Sequence, residues 1–336
     1  MITFLVLFVV PGLALLGAAV ALTRRRRGPS AGPAARTAGP GAGRKALETV
    51  ALGLQAVAEG RARGGRPLPG VHTVVHSGRR LTLQLAQADT AAPAPWTSDV
   101  SGKEWLLDPA DLPRTGTVGD GPAHPYSLVV TLGLHRGDRV LVDLAELPGT
   151  IALTGDDMEV LRLAQALISE IVSGPVGQLA TVVLVGSATT PSVTEGVVAR
   201  SVRLHTAAGR KEALAYEGRK PSATVASASA SASASASASA LPVSRRNKDR
   251  DGRDRDRDVA AAGTYARRLF VVTAAQFRDE RWADAPLRAT DALLVLGYIT
   301  DAVWHLGVNA DGSLDTGRLG VPVDTHIARF AGPTDL

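Results

Sequence analysis

The chain has 336 residues, 45% of them hydrophobic and only 4% aromatic, so it can bury a core made of Val, Leu, Ile and Ala. It contains no cysteine, which excludes disulfides, thiolate metal sites and cysteine nucleophiles. The net charge of +5 comes mostly from the run Arg24–Arg27, and the remainder is close to neutral, so the basic balance reads as a membrane flank and nucleic acid is not expected as a partner.

Ile2 to Leu22 carries no charge. Roughly 20 apolar residues at about 1.5 Å each span the hydrocarbon core of a bilayer. Pro11 in the middle is tolerable in a membrane helix. Arg24–Arg27 follow directly, and the positive-inside rule places the N-terminus outside and the bulk of the chain in the cytoplasm. The expectation is a transmembrane helix over residues 1–23, a single-pass location in the cell membrane, and the lipid bilayer as a partner. The rival is a cleaved signal peptide ending at Ala19-Val20-Ala21, which would make this an exported envelope protein. The missing basic leader and the length of the apolar run argue against it.

Residues 24–43 form a basic and Gly/Pro/Ala-rich linker without hydrophobic periodicity. A first α/β part is expected over 44–220. It opens with a helix from Arg44 to Arg63, where Leu47, Val50, Leu54 and Val57 recur at helical spacing before Gly64-Gly65. Val71–Leu85 reads as two strands turning at Ser77-Gly78, and Glu104–Asp108 as a short strand. Tyr126–Leu134 and Arg139–Leu144 form a hairpin about His135-Arg136-Gly137-Asp138. Thr150–Leu153 is a short strand that leads through Gly155 into the strongest helical pattern, Asp156–Ser173. Thr181–Val185 is an unbroken apolar run, the mark of a strand buried on both faces. A strand at Val202–Leu204 and a helix at Ala208–Tyr216 follow.

Residues 221–262 read as a disordered insertion. They hold the Ala-Ser repeat Ala226–Ala240 and the alternating Arg/Asp run Arg245–Asp258, neither of which can build a core. A second α/β part is expected over 263–336. Leu269–Thr273 and Ala292–Leu296 are buried-type strands with a helix between them. Ala302–Asn309 and Gly317–Val323 pair about the turn at Asp311-Gly312.

The search for chemistry is negative throughout. Strand, Gly155 and helix resemble a phosphate loop in outline, but G-x4-G-K-[ST] is missing and Asp156-Asp157 open the helix instead. Carboxylates there favour the helix dipole and repel a phosphate, so an acidic helix cap is the better reading. Gly39–Lys45 has neither the spacing nor a preceding strand. His72 and His76 share a face of a strand but lack a third ligand nearby, and the other histidines are scattered. The nucleophile elbow G-x-S-x-G is absent. No catalytic, cofactor-binding or metal residue is assigned, and no cofactor is expected.

Several segments carry a family resemblance: Trp105–Asp108, Tyr126–Gly133, Val140–Leu144, Leu153–Asp156, and Val303–Leu306 with Asp311-Gly312. Together, over about Arg44 to Asp324, they resemble the cytoplasmic region of actinobacterial membrane proteins that join a LysM module to a bacterial transcriptional activator domain. This chain lacks both modules, so a role in transcription does not carry over. The resemblance implies a membrane-tethered mixed-sheet α/β domain in the cytoplasm, with a degenerate P-loop-like core, antiparallel hairpins and no nucleotide residues. The expected function is that of a non-enzymatic interaction, scaffold or sensory protein with a protein partner. The alternatives are a degenerate nucleotide-binding protein related to P-loop ATPases, with its loop at Leu153–Asp157, and the exported envelope protein.

Overall fold

The computed structural model describes residues 42–112, 125–189, 193, 201–217 and 267–330. The expected membrane span, most of the linker, and the Ala-Ser and Arg-Asp insertion lie outside these residues. Among the described residues no helix is long and apolar enough to cross a membrane.

The chain opens with helix α1 (Ala42–Arg63), whose Leu47, Val50, Leu54 and Val57 are buried as their spacing requires. Gly65, with φ near +60°, turns the chain away from the helix end. Six strands of one sheet follow: β1 (Val71–Ser77), β2 (Arg80–Leu85), β3 (Thr97–Ser98), β4 (Glu104–Leu107), β5 (Val129–His135) and β6 (Asp138–Asp143). The β5–β6 hairpin closes through Arg136 and Gly137, both at positive φ, the turn that matches the natural twist of paired strands.

Next come β7 (Thr150–Gly155), helix α2 (Asp157–Ser173), β8 (Ala180–Val185), β9 (Leu204–Ala207) and the short helix α3 (Arg210–Ala215). The later part supplies β10 (Arg267–Thr273), helix α4 (Ala274–Asp279), β11 (Ala292–Leu296), β12 (Trp304–Val308), β13 (Leu314–Asp315) and β14 (Thr325–His326).

These strands form two seven-stranded sheets. The first, ordered β14-β5-β6-β1-β2-β4-β3, is antiparallel throughout. The second, ordered β13-β12-β7-β11-β10-β8-β9, is parallel except where β13 pairs with β12. The sequence reading merged these elements into one mixed sheet, and the structure corrects that to two. Their patterns differ for a physical reason. In β2, Leu81, Leu83 and Leu85 alternate with less buried residues, whereas β8, β11 and the Leu269–Val272 stretch of β10 are apolar almost throughout because both faces of the parallel sheet are covered.

Two further expectations are corrected. Gly317–Val323 is not a strand: Gly317–Leu319 makes a single helical turn, and Val323 forms only an isolated bridge to Leu314. The strand expected at Val202–Leu204 begins at Leu204 and runs to Ala207.

Layering follows from the apolar faces. α1 packs on one face of the antiparallel sheet, against Val74, Leu81, Leu83, Trp105 and Leu141. Gly53 of α1 lets Leu81 come so close that an added Cβ would sit 2.5 Å from its side chain, and its carbonyl accepts from Trp96 Nε1 at 3.1 Å. On the opposite face, Val130, Leu132, Val140 and Val142 meet α2. The other side of α2 lies on Leu153, Val182, Leu184, Val271 and Leu294 of the parallel sheet. The far face of that sheet is closed by Phe277, Trp282 and Ile299. α2 is therefore a central helix between two sheets, which is why Ala164, Leu167, Ile168 and Ile171 are all buried.

Candidate functional site

In an open α/β sheet, ligands bind outside the carboxyl ends of the parallel strands, where neighbouring connections diverge. Here that edge is made by the ends of β7, β8, β10, β11 and β12. β7 lies between β12 and β11 and runs straight into α2, so the junction at Gly155 and Asp156 is the place to look for a phosphate loop.

The junction is closed. Asp156 is the cap of α2, and its Oδ1 accepts the backbone N–H of Met158 and of Glu159, each at 3.1 Å. Its own N–H donates to the Val308 carbonyl at 2.9 Å. Gly155 sits at φ +117°, and an added Cβ would lie 2.1 Å from Val308 O. Gly149 precedes β7 and Gly155 ends it, so the two glycines stand at opposite ends of a strand and cannot form one loop. The acidic cap inferred from the sequence is what the backbone shows.

The other strand ends are neutral. β8 leads into Gly186 and Ser187, β10 ends in Thr273, β11 leads into Gly297 and Tyr298, and β12 into Asn309. Ser187 Oγ and Thr273 Oγ1 hydrogen-bond each other at 2.8 Å. Gln276 is buried, and its Nε2 donates to Glu280 Oε1 at 2.8 Å.

Sequence reasoning did not find the buried charges, and the structure ties each to a structural partner. Glu159 of α2 accepts from Arg162 Nη1 at 2.7 Å, His326 Nε2 at 2.9 Å, and Arg329 Nε and Nη2 at 3.0 and 2.7 Å. Burial pushes its carboxyl pKa up, but the hydrogen bonds from Arg329 and His326 and the nearby arginines outweigh that and hold it low. For His326, burial dominates and lowers the ring pKa. Glu170, also on α2, accepts from Thr131 N and Oγ1 at 2.8 and 3.0 Å, and burial raises its pKa against the pull of Arg139. Arg268 and Asp291 form a two-point pair, Nε to Oδ1 at 3.0 Å and Nη2 to Oδ2 at 2.6 Å. One signal was available: α2 is buried nearly all round, so any acid on its inner faces needs a partner.

The histidine pair does not make a metal site. His72 Nδ1 lies 3.1 Å from Thr73 Oγ1, and a register shift between Val71 and Thr73 breaks the alternation that would align it with His76. Burial lowers the pKa of both rings, helped at His76 by the Arg139 charge. Among the described residues, no group of three or more His, Asp or Glu is placed to hold a metal ion.

Two open cavities lie on the antiparallel sheet. A cavity of about 230 Å³ is bounded by His72, Thr73, Gln84 and Val140, with Leu319–Pro322 as a wall. A second, of about 340 Å³, is bounded by Ser77, Arg79, Arg80 and Thr82. Val75 and Asp138 line both, so they form one groove.

No family model matches the chain, and no curated protein matches it. Among solved structures, the pCW3 conjugation coupling protein TcpA, in its monomer form with ATPgS, shows 10% sequence identity over 79% of this chain and 82% of that one, with a TM-score of 0.31. A likeness of that size carries no argument about fold or function.

Proposed function

We propose that the chain is a membrane-anchored interaction, scaffold or sensory protein without catalytic activity, held by residues 1–23 with the following domain in the cytoplasm. The observation that supports this most is the Asp156 cap. A carboxylate already accepts the α2 amides that a phosphate would need, and a phosphate arriving there would meet a second anion. The buried charges point the same way, since Glu159, Asp143 and Asp291 are each engaged by an arginine inside the fold. The anchor rests on the uncharged run Ile2–Leu22 and the arginines after it. The resemblance to the cytoplasmic region of the LysM and transcriptional activator type agrees with such a tethered domain.

Calorimetric titration of the full chain in detergent with magnesium ATP and magnesium GTP tests the reading. The expected result is no binding heat at millimolar nucleotide, and micromolar affinity would overturn it. A reporter fused to the C-terminus tests the topology. It should be active only in the cytoplasm, and external activity would favour the exported alternative.

A second reading, a degenerate nucleotide-binding protein related to P-loop ATPases, is favoured by one feature: α2 follows a central parallel strand at the ligand-binding edge of the sheet. Asp156→Gly separates the two. On the first reading the wild type does not bind inorganic phosphate, and only the variant, with its amides freed, gains weak affinity. On the second the wild type already binds nucleotide.

A further inference from the structure

α2 and the parallel sheet cover only part of the antiparallel sheet. They lie over β5 and β6, through Val130, Leu132, Val140 and Val142. On the same side, β1 and β2 are left open, and Leu319–Pro322 rise beside them. A flat sheet face thereby becomes a groove along β1. From His72 to Ser77 it runs about 16 Å, at ~3.3 Å per residue.

The groove gathers charges that do not pair. Arg79 and Arg80 stand at the β1–β2 turn, and Asp138 opens β6 beside them. Among the described residues, none of these three side chains makes a hydrogen bond or an ion pair, although all line one cavity. Nearby His135 acts on Asp138 only through its charge, and its Nδ1 lies 3.1 Å from Asp324 Oδ1. Between the charged groups the lining is hydrogen-bonding and neutral, with Ser77, Thr82 and Gln84. The wall of Leu319, Val321 and Pro322 is apolar.

A ligand that satisfies this lining must carry both signs of charge and hydrogen-bonding groups at intervals. A polyanion fits poorly because Asp138 stands in the same cavity. Two adjacent guanidinium groups suit a carboxylate, and a lone carboxylate suits a basic side chain. We propose that this groove binds an extended peptide of mixed charge, about five residues long at ~3.3 Å per residue, with its carboxylate on Arg79 and Arg80 and its basic side chain on Asp138. The proposal rests on the interaction-protein reading and names the partner chemistry for it.

The test uses the full chain in detergent micelles and the capped pentapeptide Ala-Asp-Val-Lys-Ala carrying an uncharged fluorophore, read by anisotropy. The expected result is submillimolar binding, weakened by about tenfold or more, roughly 1.4 kcal/mol, in the Arg79→Ala/Arg80→Ala variant and again in Asp138→Asn. Both changes are at the surface, and circular dichroism confirms that the variants are folded. The all-acidic Ala-Asp-Val-Asp-Ala and all-basic Ala-Lys-Val-Lys-Ala should bind more weakly. Equal or tighter binding of the all-acidic peptide that ignores Asp138→Asn marks a simple anion site and overturns the proposal. No binding of the mixed peptide also overturns it, and leaves the nucleotide titration, which tests the wider reading, unaffected.

Discussion

Arg267, the first residue of β10, places its Nη1 3.1 and 2.9 Å from the two carboxylate oxygens of Asp143, the last residue of β6. The pair joins the parallel sheet to the antiparallel one. Burial raises the Asp143 pKa even against the attraction of Arg267. Arg267→Met should therefore cost about 3 kcal/mol near neutral pH, where a buried carboxylate is left without its cation. The cost should shrink towards acid, where a protonated Asp143 no longer needs one. Urea unfolding at both pH values measures it.

Glu170 gives a signed pH dependence. Its folded pKa is raised by burial, so its contribution to stability is fully present below the ordinary carboxylate pKa of about 4.3 and is lost as pH rises through the folded value. Glu170→Gln keeps an oxygen for the Thr131 N–H and never ionises. The variant should be at least as stable as the wild type at neutral pH and lose that advantage in acid. Parallel melts across the range check the direction.

Glu159 behaves in the opposite sense. Burial opposes its charge, but the hydrogen bonds from Arg329 and His326 win and hold the pKa below the ordinary range. Its contribution is present above about pH 4.3 and is lost as pH falls through the folded value. Glu159→Ala should destabilise by about 2 kcal/mol at neutral pH, with the difference narrowing in strong acid. Denaturant midpoints measured at several pH values would show the convergence.

Gly155 tests the tight junction between β7 and α2. Its φ of +117° is open only to glycine, and a Cβ would press on Val308 O at 2.1 Å. Gly155→Ala should cost about 1–3 kcal/mol or more. Gly78, with nothing within 4 Å of an added Cβ, is the control, and Gly78→Ala should stay within about 0.5 kcal/mol. Thermal melts distinguish the two.

Much of the secondary structure was legible because it rests on short-range signals. The α1 stripe of Leu47, Val50, Leu54 and Val57, the Arg136-Gly137 turn and the apolar runs of β8 and β11 each reveal themselves within a few residues. The acidic cap at Asp156 was readable for the same reason. The division into two sheets was not, because pairing depends on partners far apart, such as His326 with Gly133 or Thr73 with Val142. β3 and β14, two residues each, carry no periodicity at all. The groove was hidden too. Arg79, Asp138 and Pro322 share it only because strand order brings β1, β2 and β6 together under a distant loop.

The placement of β14 constrains how the protein is made. Thr325 and His326 complete an antiparallel sheet whose other strands all precede residue 144. During synthesis, the outer side of β5 must wait, unpaired, while the entire parallel sheet emerges from the ribosome. A strand edge exposed for so long invites pairing with neighbouring nascent chains. Truncation before Thr325 should therefore harm yield and solubility more than the removal of two paired residues would suggest.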